Sequence, residues 1–183
     1  MKTYRENLIE VVIKNSISKS WEFAVLEWEI DDCEEDENRS EMCVCGKEGL
    51  RYLYTICNKM NSRRLFPIGS CCIKKFDRAD LNEEISVREG MFKLLHAVSN
   101  NKFIELTTEY FLKKLITALF EEGAFDTEYN NFDGTNDYEF LVKMYNKRKK
   151  EDITPNMRKK IRAIIAYSIK PYLEEQLSNK IRK

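Results

Sequence analysis

An α+β chain, mostly α, in which a small treble-clef-like zinc module precedes a helical C-terminal part, is the architecture that three observations predict. Five of the six cysteines fall between Cys43 and Phe76, four of them in two clusters flanking hairpin-forming residues and Cys57 within those residues. Apolar residues with helical spacing dominate from Ile85 onward, so helices follow the cysteine-rich part. A composition of 43% apolar and 34% charged residues, with only 6 Gly and 3 Pro, belongs to a folded chain rather than a disordered one. At 183 residues the chain can join a small module to a helical one. The expected division is 1–82, holding an N-terminal helix, an acidic loop and the zinc-binding hairpin, and 83–183, a helical region ending in basic helices.

Taken in order, the N-terminal stretch interrupts every apolar run with Glu, Lys or Asn. No run elsewhere reaches the roughly 18 apolar residues of a membrane span, so a soluble cytoplasmic protein is expected. SWEFAVLEWEI (20–30) reads as a helix capped by Ser20, with Trp21, Ala24, Val25 and Trp28 on one face; a strand alternating Trp21, Phe23 and Val25 is the other reading. DDCEEDENRSE (31–41) is too acidic to pack and reads as a solvated loop. LRYLYTIC has the aromatic and β-branched content of a strand, NKMNSR supplies a turn, and RLFPI returns as a second strand, making a hairpin. GSCCIKKF then opens a helix with Ser70 as its N-cap. Val87, Met91, Leu94, Leu95 and Val98 mark one helix. Phe103 to Phe120 marks another, with Leu106, Tyr110, Phe111, Leu115 and Leu119, closed by Gly123. DTEYNNFDGTND (126–137) is a connector, and a further helix runs from Tyr138 to about Lys150. In the last segment Thr154 caps, Pro155 takes the first helical position, and Ile161, Ile164, Ile165 and Ile169 form an apolar stripe. Pro171 should kink or break that helix.

The two thiol clusters point to metal. Six cysteines also permit three disulfides, but disulfide scaffolds are usually short secreted chains, and this one shows no export signal and has a sizeable core of its own. Zinc takes four soft or borderline ligands in a tetrahedron, supplied in small modules by a tight knuckle before a hairpin and by the first turn of the helix after it. Cys43-Val44-Cys45-Gly46 fits the knuckle, with Gly46 turning the backbone so that its amides face the thiolates. Cys71 and Cys72 fall at the helix start, where the helix N-terminus and Lys74 and Lys75 favour thiolate. Cys43, Cys45 and one or both of Cys71 and Cys72 are therefore the core ligands; the fourth is the second of that pair, Cys57 at the end of the first strand, or Cys33.

The residues also carry a resemblance. CVCG, an aromatic strand, ICN, a turn and PIGSCCIKKF together resemble a pattern found in uncharacterised small proteins of Firmicutes and their phages. That pattern has a C-x-C-G knuckle, an Asn after the first strand and a G-S-x-C-[IV]-x-x-F ending. Cys43, Cys45 and Cys72 match its recurrent thiols. Glu27-Trp28 and DYEFLVKMYNKRKKEDITPNMRKKI are similar too. The resemblance implies a zinc-stabilised module in a phage or mobile-element setting, among whose small proteins are anti-CRISPR inhibitors.

The formal net charge of zero hides two poles. From Lys143 to Lys183, thirteen Lys and Arg stand against four acids, a net +9, while Glu22 to Glu41 holds ten carboxylates and the single base Arg39. Such asymmetry suits an anionic partner at one end and a cationic one at the other. One expectation is a binder of nucleic acid, in the first place DNA, that sets Lys147, Arg148, Lys149, Lys150, Arg158, Lys159, Lys160 and Arg162 against phosphates, with Tyr145 or Tyr167 to stack. The other is an inhibitor that lays Glu34, Glu35, Asp36 and Glu37 into the basic channel of a host CRISPR nuclease. The opposed poles also permit a dimer. No enzyme is expected. The one histidine, His96, lies among Leu94, Leu95, Ala97 and Val98 as a core-edge residue; DGTND fails the calcium-loop spacing; and no Walker A or G-x-G-x-x-G occurs.

Overall fold

The computed structural model describes residues 2–100, 104, 106 and 108–183. The fold is α+β and mostly helical, and the chain divides into two compact units. One runs through Ile85 and regains Lys180–Lys183 at the C-terminus; the other is Ser86–Asn179. No helix among the described residues is long and apolar enough to cross a membrane.

The first unit opens with α1, Tyr4–Asn15, started by a capping box in which Thr3 and Glu6 satisfy each other's backbone amides. Leu8 and Val12 form its buried side. The segment read as one helix over 20–30 instead changes state midway: α2 is Trp21–Ala24, a 3-10 turn covers Val25–Glu27, and strand β1 begins at Trp28. Ser20 sits at the N-cap, but its hydroxyl makes no capping bond. The hairpin forms as the sequence predicts, from β2, Tyr52–Asn58, and β3, Arg64–Ile68, with Tyr54 opposite Ile68 and Ile56 opposite Leu65. After it come α3, Ser70–Ile73, and a 3-10 turn over Lys74–Phe76. Gly69, not Ser70, takes the N-cap position of α3.

The expected acidic loop is the largest departure. Trp28–Asp36 is the nine-residue strand β1, antiparallel to β2 over most of its length. On its other side lies β4, Ile181–Arg182, parallel to it, so the sheet order is β3-β2-β1-β4. Charged residues hold this strand because each finds a partner. Glu35, fully buried, meets Arg51 at 2.8 Å, and Asp31 pairs with Arg64. Asp32 meets Lys180 at 2.5 Å, and Arg182 bridges Glu34 at 2.5 Å and Glu41 at 3.2 Å. Asp36, also buried, accepts from the amides of Asn38, Ser40 and Glu41 and from the Ser40 hydroxyl. Burial opposes its charge, yet those donors hold its carboxyl below the usual value. Of the four carboxylates read as a contact surface, Glu35 and Asp36 are therefore interior, Glu34 is half-buried, and Glu37 faces solvent.

A second buried polar cluster closes the opposite end of the sheet. Glu27 accepts from the amides of Ile17 and Ser18 at 2.8 and 2.7 Å and from Asn58 Nδ2 at 2.6 Å. Desolvation works against its charge, but the Asn58 side chain and the two amides outweigh it and lower the carboxyl's pKa. The Asn58 side-chain carbonyl accepts from Met60 and Asn61 and shapes the hairpin turn. Beside it, Trp28 Nε1 donates to the Ser16 hydroxyl at 2.9 Å.

Helix α4, Ala79–Ser99, contains the boundary between the units, and His96 is half-buried on it. The helix expected over 103–120 begins later. Its first residue, Phe103, lies outside the described residues; 108–110 form a turn, and α5 is Lys113–Glu121. Gly123, at φ +80, follows it as expected of a helix terminator. Helix α6, Thr135–Tyr145, starts at Gly134, where a Cβ would lie 2.4 Å from Phe125 Cβ, so only glycine permits this approach. Phe120 and Tyr138 stack at 4.2 Å, with Phe125 edge-on to both. Helix α7, Pro155–Ile164, is capped by the Thr154 hydroxyl, with Pro155 in its first turn. Pro171 does not break it. The chain widens into a π turn over Ile165–Ile169, closed by Lys170 N–H donating to Ile165 O, and α8, Lys170–Leu177, continues with Pro171 in its first turn, where a missing N–H is tolerated.

Candidate metal centre

The knuckle is built by its backbone. Gly46 N donates to Cys43 O at 2.7 Å, and Cys43 N to Lys47 O at 2.8 Å, a reversal that puts Gly46 at φ +94. An L side chain is strained there, which gives the glycine of CVCG its physical reason. Val44 N donates to Pro67 O in β3, and Asn7 of α1 donates to Cys45 O at 3.1 Å, so sheet and helix both hold the loop. At the other end of β3 the chain turns at Gly69 into α3 and brings in Cys72.

The sulfurs of Cys43, Cys45 and Cys72 all lie within 4.8 Å of one another, and all three residues are buried. Cys72 Sγ is 3.7 Å from Cys43 Sγ and 3.5 Å from Cys45 Sγ. Disulfide bonding would bring sulfurs to about 2.05 Å. Zinc–thiolate bonds of about 2.3 Å at the tetrahedral angle separate sulfurs by about 3.8 Å. The observed spacing thus fits three ligands of one metal ion. The Gly69 amide points at Cys43 Sγ, at 3.4 Å. The bond from Cys72 lowers the pKa of Cys43, aided by the amides of Cys45 and Gly69 against the cost of burial, while Cys72 is pushed up as the partner that keeps the proton. Metal binding would displace thiol protons from this cluster.

Of the five expected ligands, the structure brings these three together and leaves two apart. Cys57 is a correction. It pairs with Arg64 at the turn end of the hairpin, whereas Ile68, beside Gly69, pairs with Tyr54. Three strand residues, about 10 Å, separate the two levels. Cys57 Sγ instead lies against Asn58 O. Cys33 is buried in β1, outside the cluster, with its sulfur 3.8 Å from Glu34 O. Cys71 is exposed, but it lines a cavity of about 170 Å³ together with Cys43, Cys72, Lys47 and Arg51. The two bases at this opening carry no signal in the sequence, because cysteine spacing says nothing about which side of a knuckle stays open.

The eight basic residues divide as well. Lys147 to Lys150 are not α-helical: α6 ends at Tyr145, and Lys150 opens a 3-10 turn. Lys150 donates to Met144 O and Tyr145 O, Lys147 to Asp152 O, and Arg158 to Lys150 O, so these three hold the α6–α7 connection. Lys160 pairs with Asp137 at 3.1 Å and lies over the Phe140 ring. Arg148, Lys149, Lys159 and Arg162 are exposed. Tyr145 lies under the Lys150 ammonium, and Tyr167 is exposed.

No protein-family model matches the chain, and comparison with curated proteins and with solved structures gives no match.

Proposed function

We propose that this chain is a non-enzymatic, zinc-stabilised protein that binds nucleic acid through the basic surface of its C-terminal unit. The metal is zinc, held by Cys43, Cys45 and Cys72, with Cys71 as fourth ligand after its side chain turns into the cavity it lines. Knuckle, hairpin and short helix then form a treble-clef-like module whose role is structural.

The observation that carries the nucleic-acid reading is how the two charge poles are used. The acidic pole is neutralised inside its own unit by Arg51, Arg64, Lys180 and Arg182, which leaves Glu37 as the exposed member of 34–37. The basic pole keeps Arg148, Lys149 and Lys159 at the surface, the arrangement that phosphate binding requires. An inhibitor acting by acidic mimicry would need the opposite distribution.

Mass spectrometry of the native protein should show one zinc per chain. Electrophoretic shifts with duplex and single-stranded DNA should weaken steeply between low and physiological salt, and a salt-independent shift or none at all would set phosphate binding aside. Cobalt substitution tests the fourth ligand: Cys71→Ser should change the d–d spectrum and weaken binding while retaining a bound ion, whereas an unchanged spectrum excludes Cys71.

A further inference from the structure

The π turn borders a cleft of about 440 Å³, lined within the C-terminal unit by Thr127, Tyr129, Asp137, Lys160, Tyr167 and Ser168 together with Ala163 and the buried Ile164. We propose that this cleft captures an unpaired nucleobase. The inference rests on the nucleic-acid reading above and narrows it, from charge-driven binding of any nucleic acid to recognition of single strands.

Three observations converge. Tyr129 and Tyr167 are among the most exposed aromatics of the chain, at 88% and 66%, and their rings meet edge to face at 6.4 Å across the rim of the cleft. The two stand together at the surface, one offering a face on which a base can stack. Next, Ser168 is 7% exposed and lines the cleft, so its hydroxyl borders the space a ligand would fill. Last, the polar lining carries both signs, in the Asp137–Lys160 pair at 3.1 Å, beside the hydroxyls of Thr127 and Ser168, which can donate or accept. Base edges present donors and acceptors side by side, which this lining complements and a purely anionic ligand would not. Exposed Lys159 on α7 supplies charge for the attached phosphates.

The π turn explains how one helix provides this. Its extra residue per turn places Tyr167 outward and Ser168 inward, while Tyr129 comes from a 3-10 turn, Glu128–Asn130, followed by Asn131 and Phe132 in the left-handed region at φ +54 and +58.

The test titrates the intact protein with fluorescein-labelled oligo-dT and oligo-dA, with a duplex of equal length, and with free AMP and TMP. Oligonucleotides should bind more tightly than the duplex. Tyr167→Ala and Tyr129→Ala should each lower single-strand affinity by about tenfold, the cost of one missing base stack, while the salt slope stays constant. Tyr167→Phe should recover most of the Tyr167→Ala loss. Both rings are exposed, so circular dichroism and melting should not change. Binding of free nucleotide that Tyr167→Ala removes, without oligonucleotide binding, supports the cleft and overturns the nucleic-acid reading. Salt-sensitive oligonucleotide binding indifferent to both Tyr→Ala variants overturns base capture and leaves that reading standing. Failure of every probe overturns both.

Discussion

Strand β1 and the run from Lys147 to Arg162 are the most charged stretches of the chain, and the protein uses them in opposite ways. β1 is internal to a sheet. Its carboxylates are matched by bases from β3, from the start of β2 and from the C-terminal tail, and Asp36 is matched by backbone amides. The basic run lies at the end of one helix and along the outside of another. Lys147, Lys150 and Arg158 bind carbonyl oxygens there, while Arg148, Lys149 and Lys159 meet solvent. In β1 the charges are taken up by partners within the sheet unit, whereas in the basic run Lys160 pairs with Asp137 and other bases stay exposed.

The largest effect that should separate the two regions comes from the zinc proposed above. Cys45→Ser should abolish metal binding and unfold the sheet unit, because the binding free energy of a structural zinc, roughly 10–16 kcal/mol in small modules, is folding free energy. Hydrogen exchange should then show protection gone across β2 and β3 with α7 and α8 retained; full thermal stability in the variant would remove Cys45 from the ligand set. Next comes the buried carboxylate cluster. Asn58→Ala strips Glu27 of its side-chain donor and should cost about 3 kcal/mol in urea denaturation. Glu27 and Asp36 both have folded pKa values below their ordinary 4.5 and 3.8. Their stabilisation is complete above those values and is lost as pH falls through the lower folded ones, so acid should destabilise the sheet unit. A smaller effect falls on binding alone. Replacing Arg148, Lys149 and Lys159 together by Gln should reduce the salt slope of DNA binding by about one for each phosphate no longer neutralised, and change stability by no more than about 0.5 kcal/mol. Smallest is Glu37→Gln, expected within about 0.5 kcal/mol and without effect on DNA binding. Neutralising Glu34, Glu35, Asp36 and Glu37 together would not probe a surface, since it breaks the Arg51 pair and the Asp36 turn.

Much of the site is legible in the chain because its constraints are local. CVCG must reverse within four residues, and GSCC must follow the returning strand, so Cys43, Cys45 and Cys72 come together once the hairpin forms. Cys57 misleads because cysteine content cannot show how far a strand position lies from the knuckle; register decides that. The acidic strand is illegible for a related reason. Local composition disfavours a strand in WEIDDCEED, and its partners Lys180 and Arg182 come from the far end of the chain.

The sequence by itself determined the hairpin, the knuckle, the Thr154–Pro155 helix start and the apolar stripes, since each depends on residues a few positions apart. Only the tertiary structure decided which thiols meet, which carboxylates are interior, and how Pro171 is absorbed by a π turn that pairs Tyr167 with Tyr129. Those outcomes depend on groups brought together from distant segments, whose charges and hydrogen bonds can be satisfied only after the backbone has chosen its path.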